Sequence, residues 1–320
     1  MTLSLDIAVA DNPFVADLKS GEIPIEGCEP SFRNIKPQIA AYRMMVREVA
    51  FDVCELAPTT YLIARAHGCP IIALPIFLMR RFHHAGVKVN PAAGIGSPKD
   101  LEGRKVGVRA YSVTTGVWTR AILMEEYGLD SSKVTWVVDD EEHVQQLQLP
   151  ANVEHVPEGS SLYRMFVDGE LAAGLDANAG IGRSGDPFSG WKEEDVSMYP
   201  ELFPNAAELE ADWYARTGIY PIHGTVVVKE ALIRDNPWLG PALMKAFKEG
   251  KARWLAGLAS ASDPTSRKYR EYANIVGPDP LPFGIEANRP SIEALHRAAL
   301  DQKLIPRPLT MAEMFVDVPA

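Results

Sequence analysis

Gly103-Arg104-Lys105-Val106-Gly107-Val108-Arg109-Ala110-Tyr111-Ser112-Val113-Thr114-Thr115 runs directly into Gly116-Val117-Trp118-Thr119-Arg120-Ala121-Ile122-Leu123-Met124-Glu125-Glu126-Tyr127. The pattern predicts a short strand over Lys105–Val108, a hydroxyl-rich turn from Arg109 to Thr115, and an amphipathic helix over 116–127. A helix that begins where a strand stops points backbone N–H groups and its positive dipole end at whatever lies above the turn, which suits a carboxylate or phosphate. Arg109, Ser112, Thr114 and Thr115 add charged and hydroxyl donors, and the Tyr111 ring could stack on an aromatic ligand. The plainer alternative is a capped helix behind a polar loop.

The same strand, polar end and helix recur outward from this stretch. Leu3–Ala10 reads as a strand that ends in Asp11-Asn12-Pro13, and a helix over 37–48 precedes the buried strand Phe51–Leu56, which carries Glu55. The apolar strand Ile71–Met79 leads into Arg80-Arg81-Phe82-His83-His84, the densest cationic cluster in the chain. Val134–Val138 ends in Asp139-Asp140-Glu141-Glu142-His143, and a helix over 160–168 precedes a strand that ends at Asp176. Residues 178–213 lose periodicity and read as an irregular surface excursion, before a strand over 220–228 and helices over 239–259 and 291–302. The segment Tyr42–Val53 is echoed by Tyr163–Gly174, each a helix followed by a short apolar strand that ends in an acid, as expected of two lobes built on one plan. Alternating strands and helices imply an α/β protein with largely parallel sheets, whose ligands sit beyond the carboxyl ends of strands at a topological switch point. Two such lobes facing each other would form a cleft.

With 320 residues, 47% of them hydrophobic, the chain can bury a large core, and two lobes are expected. Its formal net charge of -10 argues against nucleic acid or an anionic membrane as the main partner, so an anionic ligand needs a local cationic cluster. Cys28, Cys54 and Cys69 lack paired zinc spacing and read as ordinary buried thiols. The N-terminal residues lack a basic region followed by an apolar run, and no later run reaches membrane-span length, so a cytoplasmic location without membrane attachment is expected. A homo-oligomer is compatible with this composition.

Asp11-Asn12-Pro13, Phe51-Asp52-Val53-Cys54-Glu55-Leu56, Pro75-Ile76-Phe77-Leu78-Met79-Arg80-Arg81-Phe82-His83-His84, Gly107-Val108-Arg109-Ala110-Tyr111 and Trp136-Val137-Val138-Asp139-Asp140-Glu141-Glu142-His143 resemble the 4,5-dihydroxyphthalate decarboxylase family. That family lies within the type II periplasmic-binding-protein-like superfamily. The resemblance covers most of the first half and thins after about Gly180, apart from His223-Gly224-Thr225-Val226. It implies a two-lobed α/β fold with a ligand cleft between lobes: residues 1–87 and 222–320 as a discontinuous first lobe, and 88–221 as the second. It implies a cytosolic, non-oxidative decarboxylase of a hydroxylated aromatic dicarboxylic acid, with a small aromatic carboxylate as partner. The alternative is a solute-binding protein for an aromatic or small organic acid.

Loss of a carboxylate para to a phenol needs a carboxylate clamp, a base for the phenol and an acid for the ring carbon. Arginine suits the clamp through its planar fork, and Arg109, Arg80 and Arg81 are the candidates. Arg80 and Arg81 are adjacent, so a continuing strand would point them to opposite faces. His83, His84 and His223 fall at the hinges the resemblance implies and suit proton transfer. Glu55 and Asp176, or one acid of the 139–142 run, could serve as the phenol base, and Asn12 projects from a strand end. No cofactor is expected. A divalent metal held by a His/Asp/Glu set is the alternative, but no HxH or HxxxH spacing supports it.

Overall fold

The computed structural model describes residues 2–185 and 191–318. In chain order its strands are β1 (Leu3–Ala8), β2 (Cys28–Phe32), β3 (Val53–Leu56), β4 (Ile71–Arg80), β5 (Val87–Val89), β6 (Lys105–Gly107), β7 (Thr135–Val138), β8 (Val153–His155), β9 (Ala173–Leu175), β10 (Arg183–Ser184), β11 (Lys192–Glu193) and β12 (Ile222–Lys229). The chain divides into two compact units. Unit 1 comprises Met1–Arg81, Thr217–His296 and Arg307–Ala320, and unit 2 comprises Phe82–Arg216 and Arg297–Pro306.

Unit 1 is built on a sheet of order β2-β1-β3-β12-β4. β1 runs parallel to β2 and β3, while β12 runs antiparallel to both β3 and β4. The chain moves from β1 outward to β2 and then returns to the other side of β1 for β3, so the switch point lies between β1 and β3. All four residues of β3 are buried, the continuous burial expected of a central strand rather than an alternating one. Helices Gln38–Glu48, Pro58–Ala66 and Leu239–Gly257 pack onto β3, β12 and β4.

Unit 2 repeats the plan in the order β5-β9-β6-β7-β8. β9, β6, β7 and β8 are parallel, and β5 is antiparallel to β9. Here the chain steps from β6 to β7 to β8 and then crosses back beside β6 for β9, which puts the switch point between β6 and β9. In each unit the strand that crosses back has an antiparallel strand on its far side, β12 beside β3 and β5 beside β9. The echo between Tyr42–Val53 and Tyr163–Gly174 corresponds to this shared plan, because each segment supplies the helix that precedes the crossing strand.

Two local expectations change. The helix after the opening strand spans Thr114–Tyr127, and Thr114–Leu123 are all buried, so it is not amphipathic over its first turns. Segment Arg297–Pro306 belongs to the same unit: Gln302 Oε1 accepts from Arg120 Nε at 2.7 Å, and Gln302 Nε2 donates to Val117 O at 2.9 Å. Gly116 allows close approach of this helix to its own strand, since a Cβ there would lie 2.9 Å from Val108 Cγ2. The described part of 178–213, which leaves out 186–190, is not a uniform surface excursion either. Ala179, Ile181 and Arg183 are buried, and helix Ala206–Thr217 follows.

Candidate functional site

Each sheet gathers its chemistry at one edge. In unit 1, β1, β3 and β4 end where β12 begins, because Thr225 pairs with Leu56 and Ile222 with Arg80. Asn12, Glu55, Arg80, Arg81 and His223 all come to this edge. In unit 2, β6, β7 and β9 end where β5 begins, since Val87 pairs with Leu175. His83, His84, Arg109, Tyr111, Ser112, Thr114 and Thr115 lie there.

Glu55 is the anomaly of unit 1, a carboxyl only 1% exposed inside an otherwise apolar strand. Its Oε2 accepts the Ala10 backbone N–H at 3.0 Å across the switch point. Oε1 is buried and makes no hydrogen bond among the described residues. It faces Gly224, where a Cβ would come within 2.9 Å of it. Burial pushes the carboxyl above its usual range, opposed by the Ala10 N–H and the charge of Lys19. The structure therefore holds a carboxyl biased toward its neutral, proton-carrying form.

His223 precedes Gly224 at the start of β12, where the pairing with β4 shifts register between Ile222 and Gly224. Irregularities of this kind re-aim side chains at sheet rims. Asn12 has a buried side-chain nitrogen that makes no hydrogen bond among the described residues. Arg80 is 1% exposed, donates from Nη1 to Tyr220 O at 2.5 Å, and lies over the Phe77 and Tyr220 rings at 5.2 and 5.0 Å. These contacts tie Nη1 and the guanidinium face to the frame of the sheet. Arg81 is half-buried and ties its backbone N–H to Pro221 O at 3.4 Å.

In unit 2 the turn read as an anion site already holds a carboxylate of the chain itself. Glu142 Oε1 accepts Tyr111 N–H at 2.7 Å and Ser112 N–H at 3.3 Å, and its Oε2 accepts from the Ser112 hydroxyl. Arg120 backs the turn, with its guanidinium 4.0 Å from the Tyr111 ring centroid and Nη2 donating to Tyr111 O. Thr114 and Thr115 are buried at the helix start. The predicted donors are thus in place, but a resident carboxylate takes those of Tyr111 and Ser112.

Arg109 lies just beyond β6, 5% exposed, with Nη1 3.8 Å from Asp140 Oδ2. Its backbone N–H donates to Ala179 O at 2.7 Å, and its carbonyl accepts from Asp139 and Asp140. Asp139, at the end of β7, bonds Arg183 Nη2 at 2.8 Å. Burial raises the Asp139 carboxyl to about 6, against the pull of Arg183 and Arg109. Arg183, 1% exposed, did not emerge from the sequence reading. The signal that could have found it is Gly180-Ile181-Gly182-Arg183, which begins four residues after the strand-end acid Asp176.

His83 and His84 are both 1% exposed. His84 stands edge-on to Phe203 and Trp213 at 6.0 and 5.4 Å, and burial takes its imidazole down to about 4, so it is neutral at pH 7. His143 is buried after the acidic run. Among the described residues no group of three or more His, Cys, Asp or Glu side chains is arranged to hold a metal ion, and no helix is long and apolar enough to cross a membrane.

Two α/β units of this topology, threaded discontinuously by one chain, define the type II periplasmic-binding-protein-like class. The fold is similar to that of the periplasmic aliphatic sulphonate binding protein SsuA from Escherichia coli, with a TM-score of 0.53, 11% identity and coverage of 98% of each chain. Residues 41–157 match the family described as NMT1/THI5 like. The chain is 32% identical to a 4,5-dihydroxyphthalate decarboxylase of Comamonas testosteroni, covering 98% of this chain and 96% of that one. A protein of the same name from Pseudomonas putida is 37% identical over 185 residues, 55% of this chain and 71% of its own. The chain belongs to the 4,5-dihydroxyphthalate decarboxylase family.

Proposed function

We propose that this protein removes one carboxylate, without oxidation, from a hydroxylated aromatic dicarboxylate, 4,5-dihydroxyphthalate or a close analogue. The observation that carries the reading is the relationship, over nearly the whole of both chains, to the decarboxylase of Comamonas testosteroni. Glu55 supplies a group with matching chemistry. Decarboxylation of an aryl carboxylate consumes one proton per turnover. The proton bonds to the ring carbon that bears the carboxylate, the C–C bond pair returns to the ring, and carbon dioxide leaves. A carboxyl whose pKa burial raises, with one oxygen unengaged by the described residues, suits that donation.

In this reading Glu55 is the acid and His223 takes the phenol proton, an exchange of the roles expected from sequence, where a histidine was to donate. The reason is the direction in which burial biases Glu55. An arginine belongs on the carboxylate that stays on the ring. The departing carboxylate loses its charge in the transition state, so an ion pair to it would favour the ground state. Arg109, buried at the tip of β6, is the carboxylate-binding arginine we assign to unit 2.

The test is to incubate the pure protein with 4,5-dihydroxyphthalate and follow carbon dioxide and 3,4-dihydroxybenzoate. Equal release of both is expected. Tight binding without either product would return the protein to the solute-binding reading.

A further inference from the structure

The buried Arg183 has a placement the proposed reaction does not yet use. Gly180-Ile181-Gly182 lies against the tips of β9 and β6. A Cβ on Gly180 would come within 2.5 Å of Leu175 O, and one on Gly182 within 2.3 Å of Ala177 N. Ile181 fills the space over Gly174, where a Cβ would meet its Cγ2 at 2.5 Å, and its N–H bonds Leu175 O at 2.7 Å. This close approach delivers Arg183 to the switch point of unit 2, where Asp139 holds Nη2 at 2.8 Å and Trp191 covers the guanidinium at 5.7 Å. The N–H on Nε and the two on Nη1 make no hydrogen bond among the described residues, although both nitrogens are buried. A permanently charged group, buried with most of its donors unmade, costs stability unless something completes its shell.

We infer that Arg183 is a second carboxylate-binding residue of this site, holding the retained carboxylate of an aromatic dicarboxylate jointly with Arg109. Its donors match a carboxylate in charge, and Asp139 anchors the guanidinium through Nη2. Both arginines act on the Asp139 carboxylate, and Arg109 N–H bonds Ala179 O four residues before Arg183, so the two belong to one local cluster. The identity of the acid rests on the proposed function; the binding role does not.

The test measures the affinity of phthalate, which lacks the hydroxyls needed for turnover, by calorimetry for the parent and for Arg183→Gln, with circular dichroism and melting as the check on folding. A folded R183Q that binds phthalate about 10- to 100-fold more weakly is expected, the range for a lost charged hydrogen-bond pair. A folded R183Q within threefold of the parent overturns the inference, as does a parent that binds no phthalate. If R183Q does not fold, the pair R183Q/D139N, which removes both buried charges together, is read by the same criterion. A parent that binds phthalate but releases no carbon dioxide from 4,5-dihydroxyphthalate defeats the decarboxylase reading alone. Turnover by the parent with unchanged phthalate affinity in R183Q defeats the Arg183 role alone.

Discussion

Replacing Glu55 by Gln separates the proposed chemistry from the fold. The amide keeps a carbonyl for the Ala10 N–H at 3.0 Å and adds no bulk against Gly224, so substrate binding should change by less than about threefold. What is lost is the proton. General acid catalysis contributes about 10²- to 10⁴-fold, so kcat should fall by that factor, about 3–5 kcal/mol in activation free energy. Stability should move the other way. Burial raises the folded-state pKa of Glu55, so its favourable contribution is complete below the ordinary carboxylate range and is lost as pH rises through the raised value. Gln stays neutral throughout, so E55Q should match the parent in acid and become relatively more stable as pH increases. The parent's kcat/KM should decline as pH rises through the same ionisation, and the residual rate of E55Q should not. Steady-state kinetics and thermal melting across pH read both effects. An E55Q variant within threefold of the parent in kcat would falsify the assignment of Glu55 as the acid.

Two further outcomes follow from the structure. Ser112→Ala removes a hydroxyl that bonds Glu142, so it should cost about 1–2 kcal/mol of stability and leave KM within threefold; a tenfold rise in KM would show that the hydroxyl serves the substrate instead. Burial lowers the His84 pKa to about 4 from an ordinary 6.5, so the stability it confers is complete above 6.5 and lost as pH falls toward 4, a change of up to about 3 kcal/mol. His84→Phe, placed between Phe203 and Trp213, should therefore lose less stability than the parent between pH 7 and pH 5 in melting experiments. Equal losses would assign the acid sensitivity to other groups.

Much of the architecture was legible because periodicity is local. The strand around Lys105–Gly107, the helix that follows it and its stop at Gly128 follow from spacing and from a residue able to adopt φ 66°. Glu55 was legible as well, since an acid between Cys54 and Leu56 interrupts an apolar strand end. Arg183 was hidden because its burial depends on two glycines packing against backbone from other turns, which no hydrophobic period records. Glu142 stood in an acidic run offered as a source of the phenol base, whereas its oxygens meet N–H groups about 30 residues earlier in the chain.

The sequence by itself determined the alternation of elements and the residue types gathered at strand ends, because each depends on neighbours within one or two turns of chain, and its internal echo and family resemblance carried the two-lobed α/β class. Tertiary structure alone decided which charges are buried, which donors are already taken and which carboxyl is pushed above its ordinary range. Those properties arise from desolvation and from contacts between segments distant in sequence, as where Glu142 fills the turn that opened the reading and Gln302 ties to Arg120 and Val117 of the helix behind it.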